Sequence, residues 1–469
     1  MSPSPSPSGP GAGLTCVAGL GVSGVAVAEV LARRGERVVV VEAAEGERQL
    51  RAAAELAPLG VEVRFGAAEL PEGVTRLVTT GWAPHHPLIA AALRAGIEVV
   101  GEVELAWRLR PAGAAPWLAL TGTNGKTTAV RMLTSILLAS GRRALAVGNV
   151  GEPAIRAVTR TSGEPYDALA VELSSFQLHW SGSLAPLAAA VLNVAPDHLD
   201  WHGSMEAYAA AKGRIFERAG TVVYNADDPE AARLAEPYPG AVGFTLRVPR
   251  PGQVGVVEDL LVDRAFVADP MEAAEELATL ADVRPLAPHN VANALAAAAL
   301  ARAAGVPASA VRQGLRDFVP DPHRIAHVAR IGEVDYVDDS KATNPHAAAA
   351  ALSAYPSIVW IAGGQLKGAD VDDLVRRAAP RLRGAVLLGA DRGVIAEALA
   401  RHAPNVPVVD IPAQDTGAMD RVVTEAARLA RPGDTVLLSP AGASLDMFAG
   451  YPARGEAFAR AVRELKAAT

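Results

Sequence analysis

Five of the chain's 44 basic residues are lysine; the rest are arginine. Four of the five lie in compact polar motifs: Lys126 in TGTNGKTT, Lys212 in AAKGRIFE, Lys341 in DDSKATN and Lys367 in GGQLKG. Only Lys466, near the C-terminus, stands outside such a motif. Arginine is a planar fork that never deprotonates, whereas the lysine amine is a point charge that can be neutralised or covalently modified. A sequence that uses arginine wherever a solvated cation suffices is expected to keep lysine where arginine fails.

The motifs around these lysines suggest their chemistry. TGTNGKTT follows an apolar strand and opens a helix, so backbone N–H groups and the helix N-terminus converge on one anion. Gly122, Thr123, Asn124, Gly125 and Thr128 form the cradle, Lys126 can reach β- and γ-phosphates, and Thr127 can ligate Mg²⁺. Leu120 stands where the first glycine of the usual phosphate loop would be. Glu172 in VELSSFQL and His198 in PDHLDWH follow downstream at expected strand ends. Carboxylate and imidazole could hold a Mg²⁺ that bridges ATP to a second substrate; each could also be a satisfied interior polar residue. Lys212 reads either as part of this site or as an ordinary surface-helix lysine. Gly19, Gly21 and Gly24 form G-x-G-x-x-G, with Glu42 closing the next strand. That pattern suits NAD, another nucleotide or sugar nucleotide, or a purely structural turn. DDSKATN, GGQLKG and LSPAGASLDMF read as carboxylate-holding loops or as capping turns.

Positioning these groups requires a frame of alternating strands and helices, the signature of an α/β fold. Strands are expected at 14–18, in RVVVVE ending at Glu42, at 77–81 and at 97–102, with a helix from about Ser23 to Arg34. A linker follows at 108–116. A second block begins with WLAL and includes DALAVELSS, AAVLNVAPDHLD and a helix over 289–305. VPRPGQVGVVEDLLV suggests a hairpin or an added β-element. PDPHR reads as a hinge, and VDYVDDS, SIVWIAGG, GAVLLGA, VPVVD and TVLLSP as the strands of a last doubly wound block. The expected domains are 14–108, 109–319 and 320–469, preceded by a disordered Pro/Ser/Gly tail over 1–13.

The net charge of −7 gives no general pull toward nucleic acid or an anionic membrane, so anionic ligands need local sites. The single cysteine, Cys16, excludes an intramolecular disulfide and a cysteine-based zinc site. The N-terminus has neither a charged segment nor an apolar core, so no signal peptide or membrane insertion is expected, and a reducing cytoplasm fits.

TGTNGKTT, VELSSFQL, NVAPDHLD, AAKGRI, HNVANALAA, PHR, DDSKATN and LSPAGASLD stand in the order of the ATP-dependent Mur ligases of peptidoglycan synthesis, which the chain resembles from about Leu14 onward. The resemblance implies three domains: a Rossmann-like UDP-sugar domain, a central P-loop ATPase-like domain and a Rossmann-like amino-acid domain. It implies ATP contacts at the phosphate loop, Asn290, Asn293, Arg324 and Asp339, with two Mg²⁺ ions near Thr127, Glu172 and His198. Lys212 matches a lysine that the family carries as a carbamate. UDP-sugar contacts are implied at Val22, Ser23, Glu42, Thr80, Gly81 and Asn149. UDP-N-acetylmuramoyl-L-alanine and D-glutamate are the implied substrates, with Lys341, Thr343, Lys367, Ser444, Leu445 and Tyr451 around the amino acid. Tyr451 stands where phenylalanine is common, and Ala43 and Ala44 where polar residues would help hold uridine. The last domain is expected to close over the reacting group, in a monomer. A sibling ligase using another amino acid, folylpolyglutamate synthetase and an NAD-binding oxidoreductase are the alternative readings.

Overall fold

The computed structural model describes residues 13–66, 69–412 and 417–468. The expected disordered tail, apart from Gly13, lies outside them. The fold is α/β, with three sheets distributed over two compact units. One unit runs to Asp282 and takes in Ala292–Phe318; the other comprises Val283–Val291 and Val319 onward.

The first sheet contains β1 (Leu14–Ala18), β2 (Arg37–Glu42), β3 (Glu62–Phe65), β4 (Val74–Thr79) and β5 (Glu98–Gly101), all parallel, in the order 3-2-1-4-5. The unbroken run of valines in β2 is buried, as a parallel strand covered on both faces requires. The turn after β1 falls where the strand order reverses, the position at which such sheets bind ligands. The strand expected at 77–81 starts earlier and stops at Thr79, leaving Thr80 and Gly81 in the loop. The one expected at 97–102 ends at Gly101, and Glu102 opens the helix Glu102–Leu109.

The second sheet has nine strands: β6 (Trp117–Thr121), β7 (Ala144–Gly148), β8 (Ala168–Glu172), β9 (Ala188–Val191), β10 (Thr221–Asn225), β11 (Val242–Phe244), β12 (Gln253–Val257), β13 (Leu260–Asp263) and β14 (Glu275–Thr279). Their order is 14-13-12-11-10-9-6-8-7, and the last three in sequence form an antiparallel extension, the hairpin element foreseen in the sequence. β6 lies between β9 and β8, so the three motif-bearing strands are parallel neighbours. The helix Lys126–Ala139 after β6 is braced by the helix Ala308–Asp317. There a Cβ on Gly314 would lie 2.3 Å from the Ile136 Cα, and Ser135 Oγ donates to the Gly314 carbonyl at 2.7 Å. Helix Pro288–Ala303 is apolar around its circumference, and Ala294 through Ala301 are all buried.

The third sheet contains β15 (Ala326–Ile331), β16 (Val334–Asp338), β17 (Ile358–Gly363), β18 (Leu382–Leu388), β19 (Val408–Asp410) and β20 (Thr435–Ala441), in the order 15-16-20-17-18-19. β15 is an antiparallel edge strand. The loops DDSKATN, GGQLKG and PAGASLD leave the C-terminal ends of β16, β17 and β20, three adjacent parallel strands.

Candidate functional site

The phosphate-loop motif forms an anion cradle. Gly125 takes φ 82°, a left-handed conformation that favours glycine, and turns the chain into a 14-residue helix starting at Lys126. That helix has no acidic residue in its first turn, so its N-terminal dipole is not opposed. The loop is held from β9's side. Thr123 N–H donates to the Asn193 carbonyl at 2.9 Å, and the Asn193 side chain both accepts from Asn124 N–H and donates to its carbonyl. Thr123 Oγ1 also meets the Tyr208 hydroxyl at 3.0 Å. Lys126 reaches back over the cradle, donating to the Gly122 and Thr123 carbonyls at 2.9 Å each. Asn293 lies against Gly125, where an added Cβ would stand 2.3 Å from its Oδ1.

Lys212 overturns the surface-lysine reading. It lies in the helix Met205–Gly213 and is only 1% exposed. Its amine donates to the Gly122 carbonyl at 2.7 Å and sits 4.7 Å from the Tyr208 ring centroid. Burial, reinforced by the Lys126 charge, holds the amine well below its ordinary range, against the opposing pull of Asp197 and Glu172. Glu172 is buried at the end of β8. Its Oε1 accepts from Asn149 Nδ2 at 2.8 Å, whereas its buried Oε2 has no hydrogen-bond partner. That orphan oxygen suits a cation. His198 lies beyond the end of β9, in a left-handed residue (φ 53°) that starts the short helix Leu199–His202. Burial lowers its pKa, Asp197 raises it, and Lys126 and Lys212 lower it further, favouring a neutral imidazole able to ligate metal. Among the described residues no group of three His, Cys, Asp or Glu is placed to hold a metal by itself. Protein donors there would need help from a phosphate, water or modified side chain.

In the first sheet, the glycine-rich turn is close-packed: a Cβ on Gly24 would lie 1.9 Å from the Gly19 carbonyl oxygen. Val22 and Ser23 open the helix Val22–Arg33, and Val22 is exposed. Glu42 accepts the backbone N–H of Leu20 through one oxygen and that of Ala44 through the other. Its carboxylate therefore shapes the turn, an assignment the dinucleotide reading did not include. Thr80 Oγ1 donates to the Ala18 carbonyl, and Gly81 adopts φ 112°.

The second unit brings its three motif loops together. The backbones of Gln365 and Ala443 exchange two hydrogen bonds of 2.8 Å, joining the GGQLKG and GAS loops. Lys341 stands 3.9 Å over the Tyr451 ring, and its N–H donates to the His323 carbonyl at 3.1 Å. Thr343 is half-buried, Ser444 is buried, and Leu445 and Lys367 are exposed, the last at φ 53°. Asp339 accepts from Ser439 Oγ and Ile325 N–H. Burial pushes its pKa up to about 7, against nearby Arg324. Asn290 sits near the start of helix Pro288–Ala303, where its Nδ2 donates to the Pro285 carbonyl.

Residues 120–301 match the model of the Mur ligase middle domain, and residues 323–442 that of the Mur ligase glutamate ligase domain. The chain belongs to the Mur ligase family. It is 63% identical to the UDP-N-acetylmuramoylalanine–D-glutamate ligase of Thermobifida fusca, covering 96% of this chain and 98% of that one. The Streptomyces coelicolor enzyme of the same name is also 63% identical, with the same coverage. The solved structure of MurF from Acinetobacter baumannii, 20% identical, shares the fold with a TM-score of 0.61 over 93% of this chain and 92% of that one.

Several residues that tie these segments together were given no role of their own in the sequence reading, although some lie in its motifs. Glu104 accepts from Gly182 N–H, Ser183 N–H and Ser183 Oγ, fastening the helix after β5 to the loop after Trp180. Its neighbour Glu102 accepts from Ile155 N–H, and burial pushes its pKa up to about 7. His323 Nδ1 pairs with Asp338 Oδ2 at 2.6 Å. Arg454, 2% exposed, donates to Ser340 Oγ, the Ser340 carbonyl and the Gly442 carbonyl. Arg454 is one of six charged residues in the helix Tyr451–Ala468, so nothing in the pattern singled it out; the partners of the others are distant in sequence.

Proposed function

We propose that this Mur ligase joins D-glutamate to UDP-N-acetylmuramoyl-L-alanine at the expense of ATP, in peptidoglycan precursor synthesis. The observation that carries the choice of amino acid is the 63% identity, over nearly the whole chain, to relatives named for that reaction. The reading assigns residues 14–108 to the sugar nucleotide, 109–319 to ATP and 320–469 to the amino acid. Residues 1–13 stay outside the assignment.

A carboxylate is a poor acylating agent. In the proposed reaction an oxygen of the alanyl carboxylate attacks the γ-phosphorus of ATP, ADP departs and an acyl phosphate forms. The neutral D-glutamate amine then attacks the acyl carbon, the C–N bond forms, phosphate leaves with the C–O bonding pair, and the nitrogen gives up one proton to solvent. Lys126 and the loop N–H groups stabilise charge on the transferring phosphoryl group. Burial and the Lys126 charge favour the neutral form of the Lys212 amine, the form able to add CO₂ and become an anionic carbamate. Thr127, Glu172, His198 and that carbamate would hold two Mg²⁺ ions, which neutralise phosphate charge when bound. Asn290, Asn293, Arg324 and Asp339 contact the nucleotide. Val22, Ser23, Glu42, Thr80, Gly81 and Asn149 serve the sugar-nucleotide side. Lys367, Ser444 and the Leu445 backbone grip one carboxylate of D-glutamate, and Lys341 with Thr343 the other, with Tyr451 holding Lys341 in place. The amine is left free to attack.

No described helix is long and apolar enough to cross a membrane. Water-soluble nucleotide substrates suit a cytoplasmic enzyme. Phosphate release in the presence of UDP-N-acetylmuramoyl-L-alanine and ATP tests the reading. D-Glutamate should support turnover, L-glutamate little, and L-alanine, L-lysine or meso-diaminopimelate essentially none. Robust ligation of one of the latter three would move the protein to a sibling activity.

A further inference from the structure

Thr80 and Gly81 lie in a turn that is gripped from outside its own sheet. Thr79 Oγ1 accepts the N–H groups of Gly81 and Trp82, which curls the chain after β4. Two successive carbonyls of that turn then each accept an indole N–H at 3.1 Å. Trp201 Nε1 donates to Gly81 O, and Trp180 Nε1 donates to Trp82 O. The chain has six tryptophans, and two of them converge on one turn from different segments.

The two tryptophans differ in their surroundings. Trp180 belongs to a junction: its own carbonyl accepts Gly101 N–H at 3.1 Å, and residues 182 and 183 are bound by Glu104. Removing its indole N–H leaves that junction several other bonds. Trp201 lies in the four-residue helix that His198 begins. Its ring packs against Phe176, centroids 4.8 Å apart, and Phe176 lies at the same distance from the His198 ring. The bond from Trp201 therefore links the turn at 80–81 to the turn that carries His198.

We infer that Trp201 is a positioning residue for the sugar-nucleotide substrate, its indole N–H fixing the Thr80–Gly81 turn relative to His198. This rests on the proposed ligase reading, in which Thr80 and Gly81 contact the UDP-sugar and His198 lies on the phosphate side. The aromatic ring alone does not suffice: a benzene ring can stack on Phe176 but cannot donate to the Gly81 carbonyl. Among the described hydrogen bonds, the one from Trp201 alone ties this turn to the segment that carries His198; the bonds from Thr79, Thr80 and Trp180 hold it elsewhere.

The test compares full-length wild type with Trp201→Phe and Trp180→Phe in the phosphate-release assay, varying one substrate at a time and recording thermal midpoints. Trp201→Phe should raise the KM for UDP-N-acetylmuramoyl-L-alanine about threefold to tenfold, the range expected of one neutral hydrogen bond. The KM for ATP should stay within about twofold. Trp180→Phe should leave both KM values nearly unchanged, because its junction keeps the bonds from Gly101 and Glu104. An unmoved sugar-nucleotide KM in an active Trp201→Phe variant would overturn the inference, as would equal rises in both KM values. Wild type that releases no phosphate with this substrate would instead overturn the ligase reading, and the inference with it.

Discussion

Replacing Lys212 by arginine tests the chemistry assigned to this site at its most specific point. At its ordinary pKa of 10.5, a lysine at pH 7.5 is neutral in about one molecule per thousand. Only that neutral fraction can attack CO₂, forming the N–C bond and releasing one proton to solvent. Each unit by which the protein lowers the pKa multiplies the reactive fraction about tenfold, until the amine is mostly neutral. At Lys212 burial and the Lys126 charge both act in this direction. Arginine would keep a cation where the proposed carbamate would be an anion, and its guanidinium would be enclosed with a single carbonyl in easy reach of the old amine. The expected loss in kcat for Lys212→Arg is about 10³-fold or more, close to that of Lys212→Ala, as for removal of a group that stabilises transferring charge. ¹³C NMR with labelled bicarbonate should give a carbamate carbonyl signal in wild type and none in Lys212→Arg. Since the protonated amine cannot react, activity should fall as pH is lowered, and added bicarbonate should partly restore it. An arginine variant within tenfold of wild type, or full activity without a carbamate signal in CO₂-depleted buffer, would refute the reasoning.

Other consequences follow from the same geometry. Lys126→Ala should lower kcat by about 10³-fold or more while the thermal midpoint holds, because the lost ammonium acts on the transferring phosphoryl group; near-normal turnover in a folded variant would remove it from that role. Lys367→Ala should raise the KM for D-glutamate much more than the KM for ATP, measured by phosphate release, and equal rises would show that Lys367 does not grip the amino acid. Glu102 keeps its proton to about pH 7 in the fold but to about 4.5 when unfolded, so its contribution to stability is full below pH 4.5 and is lost as pH rises through 7. Glu102→Gln, which cannot ionise, should therefore show a smaller fall in thermal midpoint between pH 5 and pH 8 than wild type; identical profiles would show that Glu102 does not titrate in that window.

What was legible in the sequence depended on chemistry that restricts residue type over a short span. The phosphate loop requires glycine at the left-handed Gly125, a cation at the helix start and hydroxyls beside it, and all stand within eight residues. Loop motifs at the ends of apolar runs also predicted where strands would deliver them, and β16, β17 and β20 do so side by side. Strand ends were less legible. Thr80 and Gly81 fall in a turn because Thr79 Oγ1 accepts the N–H groups of Gly81 and Trp82, and His198 lies well beyond the end of β9 at Val191. The exchanges between Asn193 and Asn124, and between Glu104 and Ser183, join residues 69 and 79 apart in sequence. An asparagine or glutamate has no periodicity that names such a partner. Short strands such as β3 and β11 likewise lack the apolar run that makes β2 evident.

The lysine economy of the sequence has a counterpart in Arg454. Both Arg454 and Lys212 are buried cations, but they are asked for opposite properties. Arg454 reaches three acceptors on two loops from one rigid fork, joining Ser340, beside the Lys341 motif, to Gly442, beside Ser444. Burial lowers its pKa only to about 10, so it remains charged at neutral pH and its geometry is constant. A lysine there could not place three donors in that plane. Lys212 has one close carbonyl and a neighbouring cation, surroundings that discourage charge rather than satisfy it. Burial thus produces a permanent tie at one position and a reactive amine at the other, and the difference lies in the pKa from which each side chain starts.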